Sequence, residues 1–206
     1  VWEHVIKTEV KEMRLLLVSA VLVLALALTG VAFASVPDAG TSTVEREGQG
    51  SASCNPDTAV VCPASDMGSV MVTVTVRNRY GDPLPSKSVD CWAEEITGTF
   101  CWCPGESLQT DTTGPTGEAF FFFTDFGGCG DIQFGAQCEG VMFTPSPTIF
   151  VASPDINGDC AVNAIDFSLF ASSYGTADPC CNYNCDGAVD AVDFSLFAQH
   201  YGHVCP

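Results

Sequence analysis

D-I-N-G-D-C-A-V-N-A-I-D runs from Asp155 to Asp166, and N-Y-N-C-D-G-A-V-D-A-V-D runs from Asn182 to Asp193, 27 residues further on. The same five residues, F-S-L-F-A, follow each stretch, at Phe167–Ala171 and Phe194–Ala198. A repeat of both an oxygen-rich loop and the apolar residues behind it marks a duplicated module rather than chance. In the first loop Asp155, Asn157 and Asp159 stand at positions one, three and five. Short oxygen-bearing side chains at alternate positions surround one ion as the backbone wraps it, which is the pattern of a calcium loop. The Ala161 carbonyl falls at position seven, Asn163 at position nine, and Asp166 closes the loop at position twelve. In the second loop the same places hold Asn182, Asn184, Asp186, the Ala188 carbonyl, Asp190 and Asp193. Two Ca2+ sites are expected; Mg2+ suits this set less well, because it prefers fewer protein ligands and retained water.

Behind each loop a helix is predicted, beginning near Ala164 and near Ala191. Phe167, Phe170 and Tyr174 recur at helical spacing, and Phe194, Phe197 and Tyr201 repeat them. This stripe reads as the core between the two units, with an aromatic docking face as the alternative. Gly175 and Gly202 end the helices in the manner of a C-cap. Val162 and Val189, at position eight of the two loops, are expected to pack together.

From about Pro154 to Cys205 the chain resembles a type I dockerin-like module. Each loop precedes its helix, and Asp stands where an EF-hand loop usually ends in Glu. The resemblance implies two loop–helix units in pseudo-twofold packing, each holding calcium. The first loop matches the family's ligands, whereas Asn182 replaces the first-position Asp, so the second site is expected to be weaker. Cys160 replaces the turn glycine at position six, which strains the turn and hints at a disulfide in exchange. Dockerins bind cohesin domains through positions ten and eleven and along the helices. Those positions are Ala164 and Ile165, then Ala191 and Val192. The hydroxyl pair and the basic residues of cellulosomal examples are missing, so the apolar replacements serve a different partner, pack on the same chain, or join subunits.

Residues 68–152 read as antiparallel β. Val70, Val72, Val74 and Val76 alternate with Met71, Thr73 and Thr75, and Tyr80-Gly81-Asp82-Pro83 breaks the strand with a turn. Phe120–Phe123 is a run without alternation in composition, fitting a doubly covered strand or an exposed sticky one. With V-T-V-T-V-R-N-R-Y-G-D-P-L-P at Val72–Pro85 and T-D-T-T-G-P-T-G-E-A-F-F-F at Thr110–Phe122, this region resembles bacterial immunoglobulin-like surface domains. The fold class is therefore expected to be mainly β: an immunoglobulin-like β-sandwich followed by a small α-helical module with two EF-hand-like calcium loops.

Ahead of these, residues 1–34 carry Arg14, the apolar run Leu15–Leu28 and the small-x-small site Ala32-Phe33-Ala34, and read as a secretory signal peptide with an upstream extension before Met13. Residues 35–67 read as a flexible leader with a Cys-bounded loop at Cys54–Cys62. Residues 153–206 are the duplicated module. All 12 Cys lie between Cys54 and Cys205, which behind a signal peptide implies a disulfide framework. Connectivity stays open: Cys91 and Cys138 could bridge the sheets, and Cys180, Cys181, Cys185 and Cys205 could staple the second unit.

The formal net charge is −18, and no Lys or Arg follows Lys87. Such a chain lacks the positive footprint of nucleic-acid binding, and stable membrane insertion is not expected once the signal peptide is cleaved. Catalysis is not expected either. There is no G-x-S-x-G elbow and no phosphate loop, and the paired carboxylates are better explained as ligands. His200 and His203 belong to no recognised metal motif, and Trp92 with Trp102 is either packing or a carbohydrate platform. The expected role is that of a secreted, calcium-binding structural subunit that assembles with itself at a cell surface, with strand addition between the leader and Phe120–Phe123 as its means. The alternative is an adhesion or scaffold-binding module that docks through its tail to a cohesin-like or glycan partner.

Overall fold

A computed structural model of the chain describes residues 35–50, 57–64 and 67–206. The signal-peptide reading and Cys54 lie outside the described residues. Among the described residues, ten strands precede two helices. In chain order they are β1 (Thr43–Gly50), β2 (Thr58–Val60), β3 (Gly68–Thr75), β4 (Ser88–Glu95), β5 (Thr99–Trp102), β6 (Leu108–Thr112), β7 (Glu118–Phe123), β8 (Phe126–Cys138), β9 (Val141–Met142) and β10 (Ile149–Ala152). The helices are α1 (Ala164–Ser173) and α2 (Ala191–His200).

The strands form a three-stranded sheet, β1-β3-β7, and a seven-stranded sheet in which β2-β10-β8-β4-β6 is the main path and β5 and β9 also pair with β8. One core lies between the sheets. Val70, Val72 and Val74 of β3 enter it with Phe121 and Phe123 of β7, against Val89, Phe126, Ile132 and Phe134 of the larger sheet. The phenylalanine run does alternate. Phe121 and Phe123 are buried, while Phe120 and Phe122 point outward at 48% and 52% exposure. Composition hid this because both faces of the strand are aromatic.

One expectation for the N-terminal region needs correcting. Residues Thr43–Gly50 of the supposed flexible leader form β1, paired antiparallel with β3 along its length. The Cys-bounded loop at Cys54–Cys62 begins outside the described residues.

The β2–β10 pair is the only parallel one among the described strands, and it divides two cores. Ala59 and Val61 face the sheet core, with Ile149 and Val151. Val60 and Cys62 face the other way with Phe150 and Ala152, joining Val162, Phe170, Cys181, Tyr183, Val189 and Phe197 of the helical module. Burial on both faces explains why these two short strands read as continuous apolar runs. The helical module thus completes its own small core on the back of β2 and β10.

Three described disulfides tie the module to the antiparallel β5–β8 pair and the residue just past β5: Cys101–Cys160, Cys103–Cys205 and Cys129–Cys180. The expected staple within the second unit is replaced by links to the sheet. Cys185 is also disulfide-bonded. Cys91 and Cys138 are not bonded; they sit on neighbouring strands of one sheet, opposite Ala136 and Val89, and so cannot bridge two sheets. Burial pushes the Cys91 thiol up to about 12.

Candidate metal centre

Each loop ends in a carboxylate that does two jobs. Asp166 Oδ2 accepts the amide of Asn163 at 2.9 Å and its Oδ1 accepts that of Asn157 at 3.1 Å. In the second loop Asp193 Oδ2 accepts from Asp190 N at 2.9 Å, and Oδ1 from Tyr183 N and Asn184 N at 2.7 and 3.2 Å. Position twelve therefore closes the loop and completes a capping box, for Asn163 and Asp190 are the helix N-caps. The residue expected as a ligand at position nine is simultaneously the residue that starts the helix.

At positions one to seven the first loop curls around Asp155. Its Oδ1 accepts Asp159 N at 3.1 Å and its Oδ2 accepts Cys160 N at 3.0 Å. Asn157 Oδ1 also accepts Asp159 N, and Asp159 Oδ1 accepts Ala161 N. The second loop repeats the last two bonds through Asn184, Asp186 and Ala188. Its backbone matches too. Positions four and six are left-handed in both loops, at Gly158 (φ 67°) and Cys160 (φ 72°), then Cys185 (φ 57°) and Gly187 (φ 97°). Each loop spends one glycine and one disulfide-bonded cysteine on these two strained places.

The two units hold each other's loops. Gly175 N, just past α1, donates to Val189 O at 2.8 Å, and Val189 N returns a bond to Thr176 O. Gly202 N, past α2, donates to Val162 O at 2.8 Å, and Val162 N returns one to His203 O at 2.9 Å. Both valines are buried in the module core.

Ligand oxygens of Asp155, Asp159 and Asp166 lie within 4.8 Å of one another, a cluster that can hold a divalent ion. Asp155, Asp166 and Asp193 are fully buried, and the ion pairs among the described residues, Arg46–Asp57 and Lys87–Glu139, involve none of them. Buried carboxylates without a counter-charge are costly. Burial pushes Asp155 up to about 6, with the neighbouring Asp166 and Asp159 adding to the rise and the amides of Asp159 and Cys160 opposing it. In the second loop Asn182 Oδ1 is buried with no hydrogen-bond partner among the described residues. An orphaned oxygen at position one is what a bound cation would satisfy. The donor sets of both loops, carboxylate, amide and carbonyl oxygen, fit a hard divalent ion.

Sequence reading missed the seat beneath the first loop. Gly128 N donates to Asp155 O at 2.7 Å, and a Cβ at Gly127 would overlap the Asp155 carboxylate. Gly158 lies so close to β5 that a Cβ there would meet Thr99 O at 2.6 Å. The G-G-C-G run at Gly127–Gly130 was the available signal, since adjacent glycines inside a strand mark close approach by another backbone.

The aromatic stripe is split. Phe170 and Phe197 are buried and stacked, with centroids 5.3 Å apart. Phe167 and Phe194 are 44% and 43% exposed, and Tyr174, Tyr201, Ile165 and Val192 are also exposed. Only the middle member of each triplet is core, which corrects the expectation for the other four.

No protein-family model matches the chain, and no curated protein matches it in sequence. Among solved structures it is similar to Yersinia pseudotuberculosis adhesin InvE, at 16% identity and a TM-score of 0.37, over 58% of this chain and 28% of that one. It is also similar to the CARDB domain of the PF1109 protein from Pyrococcus furiosus, solved in complex with di-metal ions, at 20% identity and a TM-score of 0.30, over 57% and 88% of the two chains. No helix among the described residues is long and apolar enough to cross a membrane.

Proposed function

We propose that the protein is a non-catalytic, extracellular binding module whose dockerin-like tail is shaped by calcium in both loops and docks to a protein partner. The observation that carries this is the duplicated exposed set beside the loops: Ile165 and Val192 at position eleven, Phe167 and Phe194 just beyond the loops, Tyr174 and Tyr201 past the helix ends. Exposed apolar groups recurring in register on two related units form a patch of the kind used for association. Ca2+ supplies the positive charge that the loop carboxylates lack. The chain's own residues then orient the helices: Asn163 and Asp190 cap them, while Asp166 and Asp193 close the loops under them.

Strand addition has less support than docking. The leader segment is already paired with β3, and the outer edge of β7 is engaged by β6 side chains. Phe120 N donates to Asp111 Oδ2, and Gln109 Nε2 donates to Phe122 O at 2.8 Å.

The test is binding to a panel of cohesin domains and to a glycan array, with calcium or with chelator. The control is an Ile165→Lys, Val192→Lys double variant that retains its calcium. Calcium-dependent binding lost in the variant supports docking through the tail. Calcium-dependent oligomers of the protein alone, abolished by removing residues 35–50, would return the reading to self-assembly.

A further inference from the structure

A second cluster of ligand atoms lies away from the calcium loops' acidic side chains. Cys62 follows β2 and is buried against the helical module, on the module side of the β2–β10 partition. His200 is the last residue of α2 and His203 follows three residues later. Cys62 Sγ lies 3.9 Å from His203 Nδ1, the two imidazole rings are 5.1 Å apart, and ligand atoms of all three residues fall within 4.8 Å of one another.

The backbone around these groups is fixed from several directions. His203 N donates to His200 O at 3.1 Å, closing the turn, and His203 O holds Val162 N at 2.9 Å. Ala161 and Val204 form a β-bridge alongside, and the Cys103–Cys205 disulfide anchors the next turn of chain to β5. Both histidines are half-buried, so the cluster has an apolar inner wall formed around Cys62 and one side open to water.

We propose that Cys62, His200 and His203 bind a borderline-soft divalent ion of the Zn2+ type, at a site separate from the oxygen-lined loops. Thiolate and imidazole are the ligands such an ion selects and Ca2+ does not. Bond lengths of about 2.0–2.3 Å in a tetrahedron place ligand atoms roughly 3.3–3.8 Å apart. The present spacing therefore closes with side-chain adjustments of about an ångström. Three protein ligands leave the fourth place to water. Binding releases the Cys62 thiol proton to solvent, and the metal–sulfur bond takes its place. Because His203 O also holds Val162, this ion would lock the end of α2 onto the first calcium loop.

The experiment uses the calcium-saturated protein titrated with Zn2+, or with Co2+ as a spectroscopic probe. One further ion per chain by native mass spectrometry, and a thiolate-to-cobalt charge-transfer band, are expected. Cys62→Ser should abolish the band. As that residue is buried, His200→Gln and His203→Gln, at half-buried positions, serve as the second test; each should weaken Zn2+ binding at least tenfold with the loops still loaded. No further ion in calcium-saturated protein, or Zn2+ binding unchanged in both histidine variants, overturns the proposal. So does peptide mapping that finds Cys62 in a disulfide.

Discussion

Cys160 occupies the sixth position of the first loop in a left-handed conformation and is bonded to Cys101 of β5, with the two Cα atoms 5.3 Å apart. The covalent link holds a strained turn that an EF-hand loop would leave to glycine. Replacing both partners by Ala should weaken calcium binding at the first loop more than at the second. It should also cost about 2–5 kcal/mol of stability. Calorimetric titration and thermal unfolding in excess calcium read the two effects; equal loss at both sites would mean that the bond serves the whole module instead.

Phe167 and Phe170 lie on one helix but have different tasks. Phe170→Ala and Phe197→Ala should each cost about 3–5 kcal/mol, as expected for aromatic residues deleted from a core. Phe167→Ala and Phe194→Ala, at half-exposed positions, should cost under about 1 kcal/mol each. Denaturant midpoints separate the pairs, and a large loss at Phe167 would return it to the core.

The Asp155 carboxyl, raised to about 6 from an ordinary 3.8, holds its proton more tightly in the folded chain than in the unfolded one. Its contribution to stability is therefore complete below pH 3.8 and lost as pH rises through about 6. Calcium-free protein should lose stability across that window, while calcium affinity at the first loop should rise across it, because the ligand must be ionised. Urea midpoints in chelator on either side of the window check the first effect. Asp155→Asn should remove the dependence.

Asn182→Asp gives the second loop a charged first ligand in place of the buried, unpartnered amide oxygen. Tighter calcium at that site is expected, together with lower stability in chelator, where a further buried carboxylate goes unneutralised. Calorimetry that shows unchanged affinity would place Asn182 outside the ion's reach.

Gly127→Ala puts a methyl group where the Asp155 carboxylate rests. The first loop should lose its calcium with the second retained, as read by native mass spectrometry.

Both helices were legible because their determinants are local. The apolar repeat behind each loop, the i, i+3, i+4 stripe and the closing glycines all fall within a dozen residues. Strand β1 was not legible: of T-V-E-R-E at its start, only Val44 belongs to the buried core, and an edge strand so polar matches a solvated leader in composition. The outward turn of Phe167 and Phe194 was hidden as well, because a helix against a small core buries a narrower face than its apolar stripe suggests. Disulfide partners and the Cys62–His203 approach join residues far apart in the chain, 141 positions in the latter case, and spacing carries no record of them.

The links at Cys101, Cys103 and Cys129 all anchor on the β5–β8 strand pair or the residue just past β5. A pull applied through α1 and α2 would then pass into the larger sheet along covalent bonds, with no run of hydrogen bonds to unzip first. Under shear, rupture would begin at the partner's grip and leave this joint whole, whereas a reducing agent would turn the same joint into the weakest point of the tether.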